Sequence, residues 1–117
     1  MKVLVCGGRT YTNLVVIFET LDSLHEKAEG GITLLIQGGA GGADELAKNW
    51  ALERGVQVCT YHPNWAKHGK QAGPIRNTNM LRLGRPNLVV AFHGGKGTAN
   101  LVDLAAKQGF EIKSIPK

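Results

Sequence analysis

The stretch LLIQGGAGGADELAKNWA, residues 34–51, gives the clearest indication of the fold of this chain. It opens with a short apolar run, Leu34–Gln37, and a glycine-rich turn, Gly38–Asp44, follows at once. Apolar residues then recur with helical spacing from Leu46 to Ala51, which predicts an amphipathic helix that begins near residue 42 or 43. A buried strand, a glycine turn and a helix in this order are typical of the repeating unit of a parallel α/β sheet.

The same pattern occurs twice more in the chain. Val3–Cys6 leads into Gly7-Gly8-Arg9, and Val89–His93 leads into Gly94–Thr98. In a parallel sheet the carboxyl ends of the strands lie at one edge, where helix N-termini and bare backbone can approach an anion closely. We therefore expect the three turns to converge on a site for a phosphate-bearing small molecule.

The remaining segments complete an α/β pattern. The predicted strands cover 2–6, 32–37, 56–61, 87–92 and 111–115, and the predicted helices cover 13–29, 43–54, 74–83 and 97–108, with a loop or broken helix over 62–73. Strands that alternate with helices at this spacing predict right-handed crossovers and a parallel sheet covered on both faces. We expect one Rossmann-like domain over residues 1–117, with a doubly wound sheet of about five strands in the order 3-2-1-4-5.

Composition and charge exclude several classes of protein. The net charge of +5 suits anionic ligands, but the cations are scattered along the chain and do not by themselves predict DNA binding. The apolar runs are too short to span a membrane, and residues 1–6 predict a strand rather than a signal peptide. Cys6 and Cys59 are expected to be reduced core thiols of a cytoplasmic protein. No metal site is predicted, although a nucleotide could carry Mg²⁺ with it.

Neither of the two standard phosphate motifs is present. A P-loop needs Gly-Lys followed directly by Ser or Thr, whereas here Gly97 separates Lys96 from Thr98. The dinucleotide fingerprint fails because Asp44 occupies the last glycine position of a match that starts at Gly39. A conventional NAD dehydrogenase or ATPase is therefore not expected.

The turn Gly94–Thr98 is the strongest local signal. Consecutive glycines leave backbone N–H groups open to a phosphate, and we expect Thr98 to cap the helix that follows. For Asp44 two roles stay open, a cap of the second helix or an acceptor for a ribose or base. The full set of predicted ligand-binding residues is Gly7, Gly8, Arg9, Gly38, Gly39, Gly41, Gly42, Asp44, Lys70, Arg76, Asn77, Gly94, Gly95, Lys96, Gly97 and Thr98.

Arg76 is predicted to lie at the start of the third helix, because Pro74 suits the first turn of a helix. A cation at a helix start is mildly disfavoured by the helix dipole. An anion close by would account for it, so Arg76 and Arg9 are the expected charge partners of the phosphate.

Four blocks in this order resemble the YpsA-related branch of the SLOG superfamily, small Rossmann-like proteins of bacteria and phages. The blocks are GGRTYT at 7–12, GGAGGAD at 38–44, HPNWAKHGKQAGPIRNTNML at 62–81 and FHGGKGTANLVDLA at 92–105. The acidic residue that the family usually carries before the tryptophan is Asn64 here. The resemblance implies a nucleotide-like ligand and a homo-oligomer, either a dimer or a tetramer.

The resemblance offers three functions. The first is binding of a nucleotide or nucleotide-derived ligand without turnover, as a sensor, carrier or sponge. The second is nucleotide hydrolysis like that of the LOG phosphoribohydrolases, whose arginine matches Arg76 but whose glutamate is replaced here by Leu101. Asp44 would then be the candidate catalytic carboxylate beside Arg76. The third, not favoured, is single-stranded DNA binding like that of DprA-like proteins, since Trp65 and Tyr61 alone do not make a stacking platform.

Overall fold

A computed structural model describes residues 1–116 as five strands and five α-helices. The strands are β1 (Lys2–Cys6), β2 (Leu34–Gln37), β3 (Gln57–Thr60), β4 (Leu88–Ala91) and β5 (Ile112–Ser114). The helices are α1 (Leu14–Lys27), α2 (Ala43–Arg54), α3 (Trp65–His68), α4 (Ala72–Gly84) and α5 (Lys96–Lys107), with a 3₁₀ turn at Gly69–Gln71. The strands form one parallel sheet in the order β3-β2-β1-β4-β5, which confirms the predicted fold class.

Both faces of the sheet are buried, which explains why its strands do not alternate apolar and polar residues. Side chains on one face of β1, such as Val3, belong to a core that α1 and α2 complete. Leu4, on the opposite face, belongs to a second core that includes Leu81 of α4 and Leu101 of α5. Cys6 is buried and Cys59 half-buried, and both are free thiols, as expected.

The helix that carries Arg76 begins earlier than the sequence predicts. α4 starts at Ala72, and Pro74 is its third residue rather than its first. A proline is tolerated there because the first N–H groups of a helix have no intrahelical acceptor. Arg76 is therefore the fifth residue of α4, so the prediction that it lies at the helix start is wrong. The broken-helix alternative for 62–73 is confirmed by α3 and the 3₁₀ turn.

The strand order reverses between β1 and β4, and the predicted site belongs to this point of the sheet. β1 lies between β2 and β4, with Cys6 paired to Ala91 at the carboxyl edge. Two hydrogen bonds tie the turns together there: Gly8 N–H donates to the His93 carbonyl at 3.0 Å, and Ala43 N–H donates to the Gly8 carbonyl at 3.1 Å. The three glycine turns therefore meet at one edge. No helix in residues 1–116 has the length and apolar character that crossing a bilayer requires.

Candidate functional site

An open cleft of about 1070 Å³ lies at the carboxyl edge of the sheet, beside the ends of β1 and β4. It is large enough for a small-molecule ligand. Of the residues predicted to bind a ligand, the cleft is lined by Gly7, Gly8, Arg9, Asp44, Arg76, Asn77, Gly94, Gly95, Lys96, Gly97 and Thr98.

Close packing of the turns explains some of their glycines. A Cβ on Gly7 would lie 2.5 Å from the Cβ of Ala43. Gly42 has a φ of +66°, and its Cβ would lie 2.1 Å from the carbonyl oxygen of Gly8. Gly42 lines neither of the two cavities at this edge, and its missing side chain lets the second turn pack on the first. This packing is by itself a sufficient reason for glycine at position 42.

The three glycines of the third turn differ in whether the fold requires them. A Cβ on Gly94 would lie 2.3 Å from Thr98 Oγ1 and 2.6 Å from the Gly8 nitrogen, so the fold requires glycine there. A Cβ on Gly95 or Gly97 would meet nothing within 4 Å, and neither residue has a positive φ. Glycine at these two positions leaves the start of α5 open to the cleft.

The N-terminus of α5 carries unpaired donors. Within the described part of the chain, no acceptor is recorded for the backbone N–H groups of Lys96, Gly97 and Thr98. The helix has no side-chain cap, and its first turn contains a lysine and no acidic residue. Thr98 is the third residue of α5, so the prediction that it caps this helix is wrong. The positive end of the α5 dipole therefore faces the cleft without a compensating anion.

Arg76 lines both the cleft and a smaller neighbouring cavity, and the fold holds two of its three side-chain nitrogens. Its Nη1 donates to the Gly38 carbonyl and its Nε donates to Asn77 Oδ1 at 2.8 Å. No acceptor for Nη2 occurs among residues 1–116. Burial lowers the pKa of Arg76, the nearby Arg9 lowers it further, and Asp44 opposes the shift. A half-buried guanidinium that is held at two nitrogens and free at the third is well suited to an anion.

Asn77 holds this arrangement together at the wall of the cleft. It is 3% exposed, and its Nδ2 donates to Asn100 Oδ1 at 2.9 Å and to the Gly97 carbonyl at 3.2 Å. Since its Oδ1 accepts from Arg76, the whole amide is engaged within the protein. Asn77 thus positions Arg76 against the first turn of α5.

Asp44 organises the second turn. Its Oδ2 accepts hydrogen bonds from the N–H groups of Gly38 at 3.1 Å and Ala40 at 3.2 Å. Of the two roles left open for Asp44, the cap of α2 is excluded, because Gly42 is the cap residue and Asp44 lies inside the first turn. Burial raises the pKa of Asp44 to about 6, although the two N–H groups and the guanidiniums of Arg76 and Arg9 pull it down.

A second cavity of about 340 Å³ adjoins the cleft. It shares Arg9, Ala40 and Arg76 with the cleft, and His62, Pro63 and Trp65 complete its lining with Gly38, Gly39 and Gly41. The Arg9 guanidinium carbon lies 5.8 Å from the centre of the Trp65 ring. The Gly38–Gly41 turn thus faces this smaller cavity.

Lys70, like Gly42, is a predicted ligand-binding residue that lines neither cavity. It is exposed in the 3₁₀ turn. Residues 10–13 and His93 also line the cleft, and His62 lines the smaller cavity, although none of them was among the predicted ligand-binding residues. The available signal was their position in the segments that follow the carboxyl ends of β1, β4 and β3, since side chains at that edge share one site.

Two further observations bear on catalysis. Leu101 is 1% exposed and packed in the apolar core, so no carboxylate occupies the position of the LOG glutamate. Residues 1–116 contain no group of three or more His, Cys, Asp or Glu side chains placed to hold a metal ion.

The chain is similar to known proteins in sequence and in fold. Residues 1–68 match a family described as YspA, cpYpsA-related SLOG. The chain is 33% identical over 119 residues to the Gene 61 protein of Mycobacterium phage D29, and the match covers 95% of the chain and 93% of that protein. The fold of the chain is similar to that of DNA processing protein A (DprA) from Streptococcus pneumoniae, with a TM-score of 0.77 and 17% identity. That match covers 99% of the chain and 50% of DprA, so the chain spans about half the length of that protein.

Proposed function

Because the chain belongs to the YspA, cpYpsA-related SLOG family, we propose that its cleft binds a nucleotide or nucleotide-derived phosphate ligand and releases it intact. The observation that carries this proposal is the open N-terminus of α5, whose unpaired N–H groups lie at a cleft that is also lined by Arg76, one amino group of which has no partner within residues 1–116. A protein with this site acts as a sensor, carrier or sponge for its ligand.

A phosphate matches the partnerless N–H groups at the start of α5 and the cations of the cleft. Its oxygens accept from the N–H groups at the start of α5, and its charge favours the positive end of the helix dipole. Arg9 and Arg76 supply planar donors that match phosphate geometry, and Lys96 adds a third cation. Gly95 and Gly97 leave room for the phosphate to approach the backbone.

A thermal-shift screen tests this proposal directly. Nucleoside mono-, di- and triphosphates and dinucleotides are added with and without Mg²⁺, and each ligand that shifts the melting temperature is recovered and analysed. A ligand at 100 times its Kd stabilises the folded protein by about 2.7 kcal/mol, which raises the melting temperature by several degrees. We expect at least one such ligand, recovered unchanged.

Two arginines of α4 provide a matched pair of variants. Arg76→Ala removes the guanidinium from the cleft, whereas Arg82→Ala removes an exposed one that lines neither cavity. We expect R76A to lose the ligand-dependent shift and R82A to keep it. An unchanged shift in R76A, or binding restricted to oligonucleotides with an affinity that falls steeply with salt, would contradict the proposal.

Hydrolysis of an N-glycosidic bond is the second candidate. The fold brings Asp44 and Arg76 to the same cleft, and a buried carboxyl group with a pKa of about 6 is a candidate proton donor. In that case the recovered ligand is free base and ribose phosphate, and Asp44→Asn abolishes the release while ligand binding persists. Recovery of intact ligand after prolonged incubation excludes this candidate.

We also propose that the chain forms a homo-oligomer. Several large apolar side chains lie exposed on the outer helices, among them Val15 of α1 and Leu52 of α2, which are 62% and 65% exposed. Apolar helix surfaces of this kind are available for contact with a second copy of the chain.

A further inference from the structure

The smaller cavity indicates which part of a nucleotide lies away from the phosphate. The two cavities share Arg9 and Arg76, so a ligand that fills both has its anionic part near these guanidiniums and a different chemical group beyond them. His62, Pro63 and Trp65 line the smaller cavity but not the cleft. Flat aromatic or ring-shaped side chains at one end and cations at the other match a base joined to a phosphate.

Trp65 is the most prominent group in this lining. It is 48% exposed at the first position of α3, and the side chain of Asn64 caps this short helix by accepting from the Lys67 N–H at 3.1 Å. The Arg9 guanidinium carbon lies over this ring, 5.8 Å from its centre, within the range of a cation–π contact. An exposed aromatic face that a cation can approach is also one on which a nucleobase can stack.

We infer that Trp65 is the stacking platform for the base of a nucleoside 5′-phosphate whose phosphate lies at the start of α5. This inference rests on the proposed function. The side chain of Arg9 makes no hydrogen bond or ion pair within residues 1–116, so it can leave the ring and turn to the phosphate at little cost. The base then takes the place of the guanidinium on the ring. Because every base has a π-face, this platform accepts purines and pyrimidines alike.

Tryptophan fluorescence reports on this step directly. The chain has two tryptophans, and the other one, Trp50, is fully buried with its Nε1 bonded to Asp22 at 2.8 Å. A ligand-dependent change in emission or in iodide quenching therefore comes from Trp65. We expect AMP to quench and protect this residue, and ribose 5-phosphate, which has no base, to bind without doing so.

Calorimetric titration of variants supplies the affinities. We expect Trp65→Ala to weaken AMP binding about 5- to 150-fold, the range found for loss of a stacked base, and to leave ribose 5-phosphate binding unchanged. Trp65→Phe retains a ring and should restore most of the affinity. Lys67→Ala is the matched control, because Lys67 is exposed on the same short helix and lines neither cavity.

The possible failures are distinguishable. If W65A binds AMP as the wild type does, or if AMP and ribose 5-phosphate bind the wild type with equal affinity, the base platform is wrong while the phosphate site stands. If neither molecule nor any other nucleotide binds the wild type, the proposed function fails and this inference fails with it. Far-UV circular dichroism of W65A checks that the half-exposed side chain was not needed for folding.

Discussion

Asp44 shows how one buried carboxyl group can serve both the fold and the site. Its carboxylate holds the turn that begins at Gly38, yet burial keeps its pKa at about 6, against an ordinary value of 3.8. The folded protein therefore retains this proton to higher pH than the unfolded chain does. The cost of ionising Asp44 appears as pH rises from about 4 to about 6, and it amounts to roughly 3 kcal/mol.

This shift predicts a pH dependence of stability. We expect the contribution of Asp44 to lower the free energy of unfolding between pH 4 and pH 6.5, and Asp44→Asn to remove that contribution, because an amide keeps an acceptor oxygen but cannot ionise. Urea unfolding of wild type and D44N across this interval measures the difference. If both proteins show the same slope against pH, Asp44 is not the group responsible.

Among the elements, the start of α5 is where one substitution is expected to change stability and ligand affinity in opposite directions. Gly97 lies in the first turn with open space around it, so Gly97→Ala should stabilise the helix by about 0.5 kcal/mol through helix propensity. The same methyl group narrows the approach to the phosphate. We expect G97A to melt higher than the wild type and to bind nucleotide about tenfold more weakly, a loss of about 1.4 kcal/mol.

A glycine introduced at the far end of the same helix provides the control. Ala106 is exposed in the last turn of α5, and Ala106→Gly should lower stability by about 0.5–1 kcal/mol without changing nucleotide affinity. Thermal melting and calorimetry on the two variants test the pair. Unaltered affinity in G97A would show that the phosphate does not approach the backbone there.

Packing between the first two turns gives another element-scale prediction. Gly42 and Gly55 have φ values of +66° and +70°. A Cβ on Gly42 would clash with the backbone of Gly8, whereas a Cβ on Gly55 would meet nothing within 4 Å. We expect Gly55→Ala to cost about 1 kcal/mol of stability from backbone strain alone, and Gly42→Ala about 2–4 kcal/mol because a clash is added. Equal losses in urea unfolding would mean that the turns are not held at this distance.

The elements also show what could be predicted from the sequence. The strand order followed from apolar runs spaced by helices, and the edge that carries the site followed from the glycine turns after β1, β2 and β4. The roles of individual side chains did not follow. Arg76 bonds to Gly38, which is 38 residues away, and Asn77 bonds to Asn100, which is 23 residues away. Such contacts depend on how α4 and α5 pack, which no local pattern records.

At the scale of the whole molecule, the expected self-association is a separate question from ligand binding. The family resemblance implies a dimer or tetramer, and exposed residues such as Leu83, 61% exposed on α4, provide apolar surface for it. We expect sedimentation velocity to show a species larger than the monomer at micromolar concentration. A monomer at every concentration, with nucleotide present and absent, would rule out a constitutive oligomer.

Under the proposed function, this edge of the sheet binds a nucleotide through its phosphate. Isothermal titration of the wild-type protein with a panel of nucleoside 5′-phosphates, repeated on R76A, tests it most directly. We expect saturable binding of at least one nucleotide at one site per chain, recovered intact, and its loss in R76A while R82A binds normally. Absence of binding to the wild type at millimolar concentration of every nucleotide, or binding that persists in R76A, would contradict it.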